Sequence, residues 1–316
     1  MAQKLLFYCP QMTEMMNAMT WKNSEFKPGC IKWHEFEGEW PNSFIENVEE
    51  VKNSDIYFFA SFDNPTQFFR QVSVLSSLWF YEARTLTVIL PFFPTATMER
   101  IDRPGEIATA KTLARMLSSI PACAGGLPKI LIFDPHSQTL PFYFEKNTVI
   151  PISLSAMSLA RNGLSYFPRG AAVAFPDAGA RKRFGSIFSD YPQIVCDKIR
   201  IDGGDEKIVT IKEGDPRGKS ILIIDDLTRS GETAEECRKV LVAAGAYSVS
   251  AFVTHGAFKK DVWKNYCYLP EEYDRAKHFL DFVITDSCPV QAKIVCGHKP
   301  FKVLSLIDLI YKAIKE

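Results

Sequence analysis

Residues 221–233 read Ile-Leu-Ile-Ile-Asp-Asp-Leu-Thr-Arg-Ser-Gly-Glu-Thr, and they predict more of the structure than any other part of the chain. The first four residues are a continuous β-branched and leucine run, which is typical of a strand buried on both faces of a parallel sheet. Asp225 and Asp226 follow where that strand would end, and residues 234–244 have the apolar spacing of a helix. The stretch therefore predicts a strand, a polar loop and a helix in succession.

The loop between this strand and helix is suited to a phosphate group. It presents backbone N–H groups at a helix N-terminus, where anions are stabilised. The two acids before the loop repel phosphate, so they are better placed to accept hydrogen bonds from sugar hydroxyls or to hold a metal ion. A ribose 5-phosphate satisfies both halves of the stretch. An ordinary strand, turn and helix is the alternative that the stretch alone leaves open.

The composition favours a soluble two-domain protein. The chain has 316 residues, 47% of them hydrophobic, and Lys plus Arg equals Asp plus Glu at 37 each. Zero net charge gives no global basic field for nucleic acid or for an anionic membrane. No apolar run approaches the roughly 18 residues of a membrane span, and the N-terminus lacks a signal-peptide pattern. Eight cysteines without a CxxC pair indicate reduced thiols, so we expect a cytoplasmic protein without structural zinc.

Short apolar runs alternate with longer segments of helical period, which predicts an α/β fold with parallel sheets. The runs are 4–9, 56–61, 85–90, 129–133, 171–175, 220–224, 248–253 and 282–285. Asn64-Pro65 predicts a helix start, since Asn caps helices and Pro is favoured at the first helical position. Residues 107–117 form a second predicted helix. Pro141 and Pro151 bracket a segment that breaks the periodicity, which places the domain boundary near residue 152 and gives domains 1–152 and 153–316.

The last residues predict a strand over 301–304 and a helix over 305–314 with Ser305 as its cap. The sequence leaves open which domain that helix packs on.

Three predicted strands end in an acid, within segments 129–136, 171–179 and 220–227. Ligands of open α/β sheets lie at the carboxyl ends of the strands, so these acids are placed to converge.

Asp177 begins a Pro-Asp-Ala-Gly turn that precedes the cations 181–183. Those cations predict either a solvated face or, with the turn, a diphosphate cradle in which Asp177 approaches Mg²⁺ through water. His136 is either a satisfied turn residue or a group near a nucleotide-bound metal.

Two further segments have candidate functional residues. Lys198 and Arg200 alternate along an extended segment and share one face, and Gly203-Gly204 behind them could bend as a lid that delivers positive charge while water is excluded. The alternative is an exposed edge strand with ordinary charges.

Residues 33–40 predict a tight hairpin. Its aromatic and acidic tip could stack on an adenine, or its residues could serve the turn alone.

Taken together, these segments resemble the ribose-phosphate diphosphokinases, also called phosphoribosyl diphosphate synthetases, and most closely their plant-type class. The resemblance spans nearly the whole chain, and its order and spacing are specific. The segments that support it are 36–39, 90–95, 133–136, 175–180, 198–200, 211–215, 221–233 and 253–256.

The resemblance implies two doubly wound parallel-sheet domains of the type I phosphoribosyltransferase kind, with ATP on the N-terminal side and ribose 5-phosphate on the C-terminal side. It implies diphosphoryl transfer from ATP to the C1 hydroxyl of ribose 5-phosphate, release of AMP, and a place in nucleotide biosynthesis. It also implies a Mg²⁺ cofactor and a homo-oligomer in which the ATP site is shared between subunits.

The resemblance assigns a role to each candidate residue. Lys198 and Arg200 would be catalytic. The remaining assignments are Asp225, Asp226, Ser230, Gly231, Glu232 and Thr233 for ribose 5-phosphate; Asp177, Ala178, Gly179 and Ala180 for diphosphate; Phe36, Glu37, Glu39, Glu99, Arg100 and His136 for ATP; and His136 with Asp177 for the metal.

Four residues depart from the family pattern. Thr97-Met98 stands where relatives have Arg-Gln, so that ATP contact is lost or passes to Arg100 or Arg103. Arg229 replaces an acid and Glu232 replaces a common glycine. These departures keep two alternatives open, a non-catalytic subunit that assembles with active synthetase chains and, with less support, a phosphoribosyltransferase. The latter is usually one domain without the 198–200 segment.

Overall fold

The computed structural model describes residues 2–315 except 39, 102, 166, 168–169 and 201–206, and it describes the backbone alone at 198–200 and 207–208. The chain divides into two compact units. The first contains residues 1–154 and 307–316, and the second contains residues 155–306.

The first unit is built on a six-stranded sheet of order β2-β1-β5-β6-β7-β8, in which the paired strands are all parallel. Its elements are β1 Lys4–Tyr8, α1 Thr13–Lys22, β2 Phe26–Pro28, β3 Ile31–Glu35, β4 Pro41–Ile45, β5 Asp55–Phe59, α2 Pro65–Ser77, β6 Thr85–Ile89, α3 Thr109–Leu117, β7 Lys129–Phe133 and β8 Ile150–Leu154, with α8 Ile307–Lys315 at the chain end. Strands β3 and β4 form a separate antiparallel hairpin.

Burial of apolar side chains explains why these runs are strands. Strands β5 and β6 contribute Ile56, Phe58, Leu86 and Val88 to a core that α2 and α3 cover. The start of α2 is as predicted, because the Asn64 side chain accepts a hydrogen bond from the Gln67 amide at 2.9 Å. Pro65 occupies the first turn of α2, where its missing N–H removes no helical hydrogen bond.

The second unit is built on a seven-stranded sheet of order β11-β10-β9-β12-β13-β14-β15. Its elements are α4 Met157–Leu164, β9 Ala171–Phe175, α5 Ala178–Phe184, β10 Gln193–Arg200, β11 Lys207–Glu213, β12 Ser220–Thr228, α6 Glu232–Ala243, β13 Ser248–Gly256, β14 Phe282–Thr285, α7 Pro289–Val295 and β15 Phe301–Leu304. Strand β10 pairs with β11 in the antiparallel direction, and the other printed pairs of this sheet are parallel.

The predicted fold class is confirmed, since both units are α/β with parallel sheets. Predicted strands 129–133, 171–175, 282–285 and 301–304 have the bounds expected, and β12 continues to Thr228, beyond the expected end at 224. Strand β8 lies where the prolines predicted a break, because Pro151 is tolerated on the edge strand of a sheet.

The terminal helix differs from the expected C-terminal domain 153–316, because residues 307–316 belong to the first unit. The Lys22 ammonium of α1 lies 2.6 Å from the Asp308 carboxylate, and the Tyr311 hydroxyl donates to Glu25 at 3.0 Å. These contacts are tertiary, so the local pattern of the helix could not predict them.

Across the part of the chain that the structure describes, no helix combines the length and the apolar character needed to cross a bilayer.

Candidate active site

The acid pair Asp225 and Asp226 lies near the carboxyl end of β12, the strand that pairs with both β9 and β13. Strand β12 has this central position because its residues 221–224 are buried. Asp226 is 5% exposed. Arg183 of α5 donates from Nη1 to its carboxylate at 2.9 Å. One carboxylate of the pair, that of Asp226, therefore lies beside a cation.

Asp225 is the member of the pair whose ionisation is disfavoured by its surroundings. Burial raises its pKa well above the ordinary carboxyl value, and the negative charges of Asp226 and Asp177 raise it further. The Asp226 amide opposes this by donating to Asp225 Oδ1 at 2.9 Å. Since the folded-state pKa is raised, ionisation of Asp225 lowers the stability of the fold as the pH rises above the ordinary carboxyl pKa. A cation or sugar hydroxyls at this carboxylate would offset that cost.

The loop from Arg229 to Gly231 joins the acid pair to helix α6. The Tyr266 hydroxyl donates to the Ser230 carbonyl at 2.7 Å, and Gly231 has a positive φ of 77°. A Cβ built at Gly231 would lie 2.5 Å from the Tyr266 hydroxyl, so this position requires glycine for space and for conformation. The loop thus turns tightly into the N-terminus of a 12-residue helix, as predicted for a phosphate loop.

The other predicted loop residues lie at the start of α6. The Glu232 amide donates to the Ser230 hydroxyl at 3.4 Å, and Glu232 is exposed in the first helical turn. Thr233 follows it as a half-buried residue. Arg229 is exposed, and its carbonyl accepts from the Lys259 amide at 2.9 Å. The structure therefore brings the loop residues together with the acid pair that precedes them.

Residues Asp177 to Ala180 form a helix start rather than the predicted turn. Asp177 caps α5, since its Oδ1 accepts from the Ala180 amide at 2.8 Å. A Cβ built at Gly179 would lie 3.0 Å from that Oδ1, which explains why a glycine suits this position. An acid three residues before an amide is a capping signal, so the segment starts a helix, and its assignment to diphosphate stays a prediction.

The cations that follow have separate roles. Arg181 is exposed and pairs with Glu213. Arg183 is largely buried against Asp226, and its guanidinium lies 4.6 Å from the centre of the Phe184 ring. Neither a solvated face nor a diphosphate cradle describes Arg183, which instead neutralises part of the acid pair. Asp177 and Asp225 do converge as expected, while the third acid, Asp134, belongs to the first unit.

The catalytic candidates Lys198 and Arg200 lie on strand β10 as predicted from their extended spacing. Strand β10 pairs with β9 over Gln193–Val195, and its later residues pair with β11, with Lys198 opposite Val209 and Arg200 opposite Lys207. Strand β10 lies between the two, since Val195 pairs with both Phe175 of β9 and Glu213 of β11, and the β10–β11 ladder has a register shift between Val195 and Cys196. The side chains of Lys198 and Arg200, and the Gly203-Gly204 tract, lie outside the described residues.

In the first unit, the loops after β6 and β7 contain Glu99, Arg100 and His136. Strands β6 and β7 are neighbours in the sheet, so both loops start at one edge. The Tyr143 hydroxyl donates to the Glu99 carbonyl at 3.1 Å and accepts from Thr139 at 3.3 Å. This chain of hydrogen bonds ties the Glu99 loop to the segment that follows His136.

Exposure distinguishes the side chains of this edge. Arg100 and His136 are exposed, and Glu99 is half-buried. Thr97 has a positive φ of 76° and is exposed. The exposed imidazole and guanidinium are therefore the groups that this edge offers to a nucleotide.

The hairpin of β3 and β4 is present as predicted, and helix α2 supports it. Phe36, at its tip, is 59% exposed. Glu35 pairs with Arg70 of α2, which is 6% exposed and has a buried Nε without a hydrogen bond among the described residues. The Trp40 ring packs edge-on against Phe69 with ring centres 5.7 Å apart. Glu37 is exposed next to Phe36, and Glu39 lies outside the described residues.

The described residues contain no cluster of three or more His, Cys, Asp or Glu side chains spaced to hold a metal by themselves. The acid pair nevertheless fits Mg²⁺ chemically, because Mg²⁺ is commonly bound by one or two carboxylates together with substrate phosphates and water. The raised pKa of Asp225 is the structural sign that this carboxylate favours a cation.

The site and the topology define a class of protein. A parallel sheet whose central strand ends in an acid pair, followed by a tight loop at a helix N-terminus, is the phosphoribosyl-binding arrangement of the type I phosphoribosyltransferase fold. The crystal structure of phosphoribosylpyrophosphate synthetase from Mycobacterium smegmatis shares this fold, with a TM-score of 0.80 at 20% identity over 99% of this chain and 98% of that one.

Sequence comparison gives the family. Residues 9–120 match the N-terminal domain of ribose phosphate pyrophosphokinase. The chain is 41% identical over 314 residues to ribose-phosphate pyrophosphokinase 3, chloroplastic, of Oryza sativa subsp. japonica, covering 98% of this chain and 76% of that protein. It is 39% identical over 312 residues to ribose-phosphate pyrophosphokinase 4 of Arabidopsis thaliana, covering 98% and 91%. This chain belongs to the ribose-phosphate pyrophosphokinase family, and its similarity to plant members confirms the predicted resemblance.

Sequence reasoning missed three supports of the site. These are Arg183 beside Asp226, Tyr266 on the Ser230 carbonyl, and Arg70 beneath the hairpin. Each is contributed by an element distant in sequence from the residue it supports. The run of three cations at 181–183 after Asp177 was the one signal that pointed to Arg183.

Proposed function

We propose that this chain transfers the diphosphoryl group of ATP to the C1 hydroxyl of ribose 5-phosphate, giving 5-phosphoribosyl 1-diphosphate and AMP. The C1 oxygen attacks the β-phosphorus of ATP, the bond from that phosphorus to the bridging α-phosphate oxygen breaks, and the hydroxyl proton is released. The observation that carries this proposal is the acid pair followed directly by the Gly231 loop, in a chain 41% identical to a pyrophosphokinase over nearly its whole length.

Ribose 5-phosphate has two complementary partners in the second unit. The backbone amides at the start of α6 and the hydroxyls of Ser230 and Thr233 suit the 5-phosphate, since partial positive charge gathers at a helix N-terminus. Asp225 and Asp226 suit the ribose hydroxyls, because an ionised carboxylate accepts hydrogen bonds and a hydroxyl can donate them. Arg183 holds Asp226 in place through its 2.9 Å contact.

ATP would use the edge of the first unit and the hairpin. His136 and Arg100 are exposed donors there, and Phe36 and Glu37 at the hairpin tip offer a stacking face and an acceptor for the adenine amino group. We infer that the hairpin serves the ATP of a neighbouring copy, so the active form would be a homo-oligomer. The burial of Arg70 beneath Glu35 supports a fixed hairpin with a presented tip.

Lys198 and Arg200 are proposed to stabilise the charge on the transferring group. Alternate residues of an extended segment share one face, which supports a joint role for the two cations. Cationic donors of this kind are typically worth about 10²–10³ in turnover each. Mg²⁺ would neutralise phosphate charge when bound. The candidates to hold it are Asp225, Asp226, Asp177 and His136.

A cytoplasmic location stays a prediction. The rice relative named above is described as chloroplastic.

The reaction is tested by incubating the purified chain with ATP, ribose 5-phosphate and Mg²⁺ and identifying the products by ³¹P NMR. We expect AMP together with a sugar that has a diphosphate at C1. Production of ADP would instead indicate a simple kinase. No product in the chain alone, with product restored on mixing with a catalytic relative, would indicate the non-catalytic subunit.

A further inference from the structure

Two buried thiols of the second unit lie in direct contact. The Sγ atoms of Cys196 and Cys237 are 3.1 Å apart, and the two residues are 0% and 1% exposed. Both are free cysteines. Cys196 is on β10, two residues before Lys198, and Cys237 is on α6, the helix that begins at the phosphate loop. The contact therefore joins the two elements on which the proposed catalytic and phosphate-binding residues lie.

The chemistry of Cys196 differs from that of the other buried thiols. Burial raises the pKa of Cys123, and it raises the pKa of Cys9 to about 12. Cys196 shows the opposite direction, because the hydrogen bond from Cys237 lowers its pKa despite burial. The thiolate is the nucleophilic form of cysteine, so this contact favours reaction at Cys196.

The position of Cys196 also favours access. Pairing of β10 with β9 covers Gln193–Val195, and Cys196 is the first residue beyond it, at a register shift. Register shifts interrupt the ladder and are places where pairing is locally weaker. Cys196 is fully buried and still pairs with Ile211 of β11, so a small oxidant would reach its sulfur only when the ladder opens locally at this shift.

We propose that Cys196 and Cys237 are a modification site, at which a peroxide forms a reversible disulfide bond that lowers the activity of the protein. The part of this inference that concerns activity rests on the proposed function. The formation of the bond does not depend on it.

The reaction balances with a peroxide as oxidant. The Cys196 thiolate attacks one peroxide oxygen, the O–O bond breaks, and the products from hydrogen peroxide are a sulfenic acid and water after protonation. The Cys237 thiol then attacks the sulfenic sulfur, forms the S–S bond and releases a second water. Two thiols lose two electrons in total, and the peroxide gains them. A dithiol such as dithiothreitol reverses the bond by exchange.

Geometry gives the reason for a functional effect. A disulfide has an S–S length of about 2.05 Å. The sulfurs must therefore approach from 3.1 Å, which moves β10, α6 or both. Since α6 begins at Glu232 and β10 ends at Arg200, either shift changes the placement of residues assigned to phosphate or to the transferring group.

The test uses the full chain in a C30S/C296S background, because Cys30 and Cys296 are exposed and would react with peroxide first. The protein is treated with hydrogen peroxide, alkylated and mapped by peptide mass spectrometry, and its turnover is measured before and after dithiothreitol. Cys237→Ser removes one partner, and Cys196→Ala is the second such variant. Cys288→Ser is the matched control, since Cys288 is another buried cysteine of the same unit.

We expect a peptide linked through Cys196 and Cys237, at least a threefold loss of turnover, and recovery with dithiothreitol. The loss should persist in C288S and be absent in C237S and C196A. Absence of the linked peptide would overturn the modification site, and a linked peptide with unchanged turnover would overturn its effect on activity. A reduced protein without synthetase activity would contradict the proposed function, while the peptide map would still decide whether the bond forms.

Discussion

The two sheets have similar strand sequences at their carboxyl edges, but the residues that follow these strands differ. Residues 129–134 and 220–225 are both apolar strands that end in aspartate. In the first unit, Asp134 is buried with a positive φ of 32°, and its amide donates to Leu154, so exposed His136 follows on a turn. In the second unit the strand runs on through Asp225 and Asp226 to Thr228.

This difference separates the two substrate chemistries. The first edge offers an imidazole and a guanidinium, which we propose serve a nucleoside triphosphate. The second edge offers carboxylates and a helix N-terminus, which suit a sugar phosphate. A strand ending in an acid therefore specifies where a site lies, while the residues that follow specify what it binds.

The largest expected effect concerns the stability of the second edge. Arg183→Met removes the guanidinium beside largely buried Asp226. We expect a loss of about 3–5 kcal/mol in the free energy of unfolding, as for other broken buried ion pairs. Urea denaturation measures this loss. Arg181→Met is the matched control, because its exposed pair should contribute less than about 1 kcal/mol. Equal losses in the two variants would show that Asp226 does not depend on Arg183.

Lys198→Ala tests the proposed catalytic charge. We expect turnover to fall by roughly 10²–10³, because a donor to developing charge is lost, with the unfolding midpoint unchanged. Steady-state kinetics and thermal unfolding measure the two quantities. Lys212→Ala, an exposed lysine on the neighbouring strand β11, is the control and should retain near-normal turnover. Near-normal turnover of the Lys198 variant would remove Lys198 from the reaction.

Arg70→Gln tests whether the Arg70–Glu35 pair supports the hairpin, which we propose contacts the adenine of ATP. A hydrogen bond to a charged group is worth about 1.5–3 kcal/mol, so we expect the KM for ATP to rise by roughly tenfold. The KM for ribose 5-phosphate should stay within twofold of the original. Arg84→Gln, which breaks a pair with Asp55 elsewhere in the first unit, should leave both constants unchanged. A parallel rise in both KM values would mean that Arg70 supports the fold generally.

The smallest expected effect concerns Glu232, the exposed acid at the start of α6. Its charge lies near the proposed phosphate and opposes it, and charges at helix termini typically contribute about 0.3–1 kcal/mol. Glu232→Gln should therefore lower the KM for ribose 5-phosphate by about two- to fivefold. Kinetics at low ionic strength measure this best. Glu271→Gln, at an exposed site of the same unit, is the control, and a raised KM in E232Q would show that Glu232 assists binding.

Much of the fold was predictable because it depends on local patterns. Four strands had the expected bounds, since long β-branched runs are buried on both faces of a parallel sheet. The start of α2 was predictable because Asn64 and Pro65 act within one helical turn. The phosphate loop was predictable for the same reason, with acids, hydroxyls and Gly231 adjacent in sequence.

The supports of the site were not predictable, because they depend on contacts between distant segments. The Arg183–Asp226 pair joins residues 43 positions apart, and the Tyr266–Ser230 hydrogen bond spans 36 positions. Helix α8 packs on the first unit through side chains of α1 and its following loop. The helix start at Asp177 was not predicted, because a capping carboxylate and a ligand-binding carboxylate look the same in sequence.

The central claim, that the two edges bind different substrates, is tested most directly by one comparison of KM values for ATP and ribose 5-phosphate in Asp225→Asn and His136→Gln. The assignment predicts that D225N raises the KM for ribose 5-phosphate with little change for ATP, and that H136Q does the reverse. If both variants raised the same constant, or each raised both equally, the division of substrates between the two edges would be contradicted.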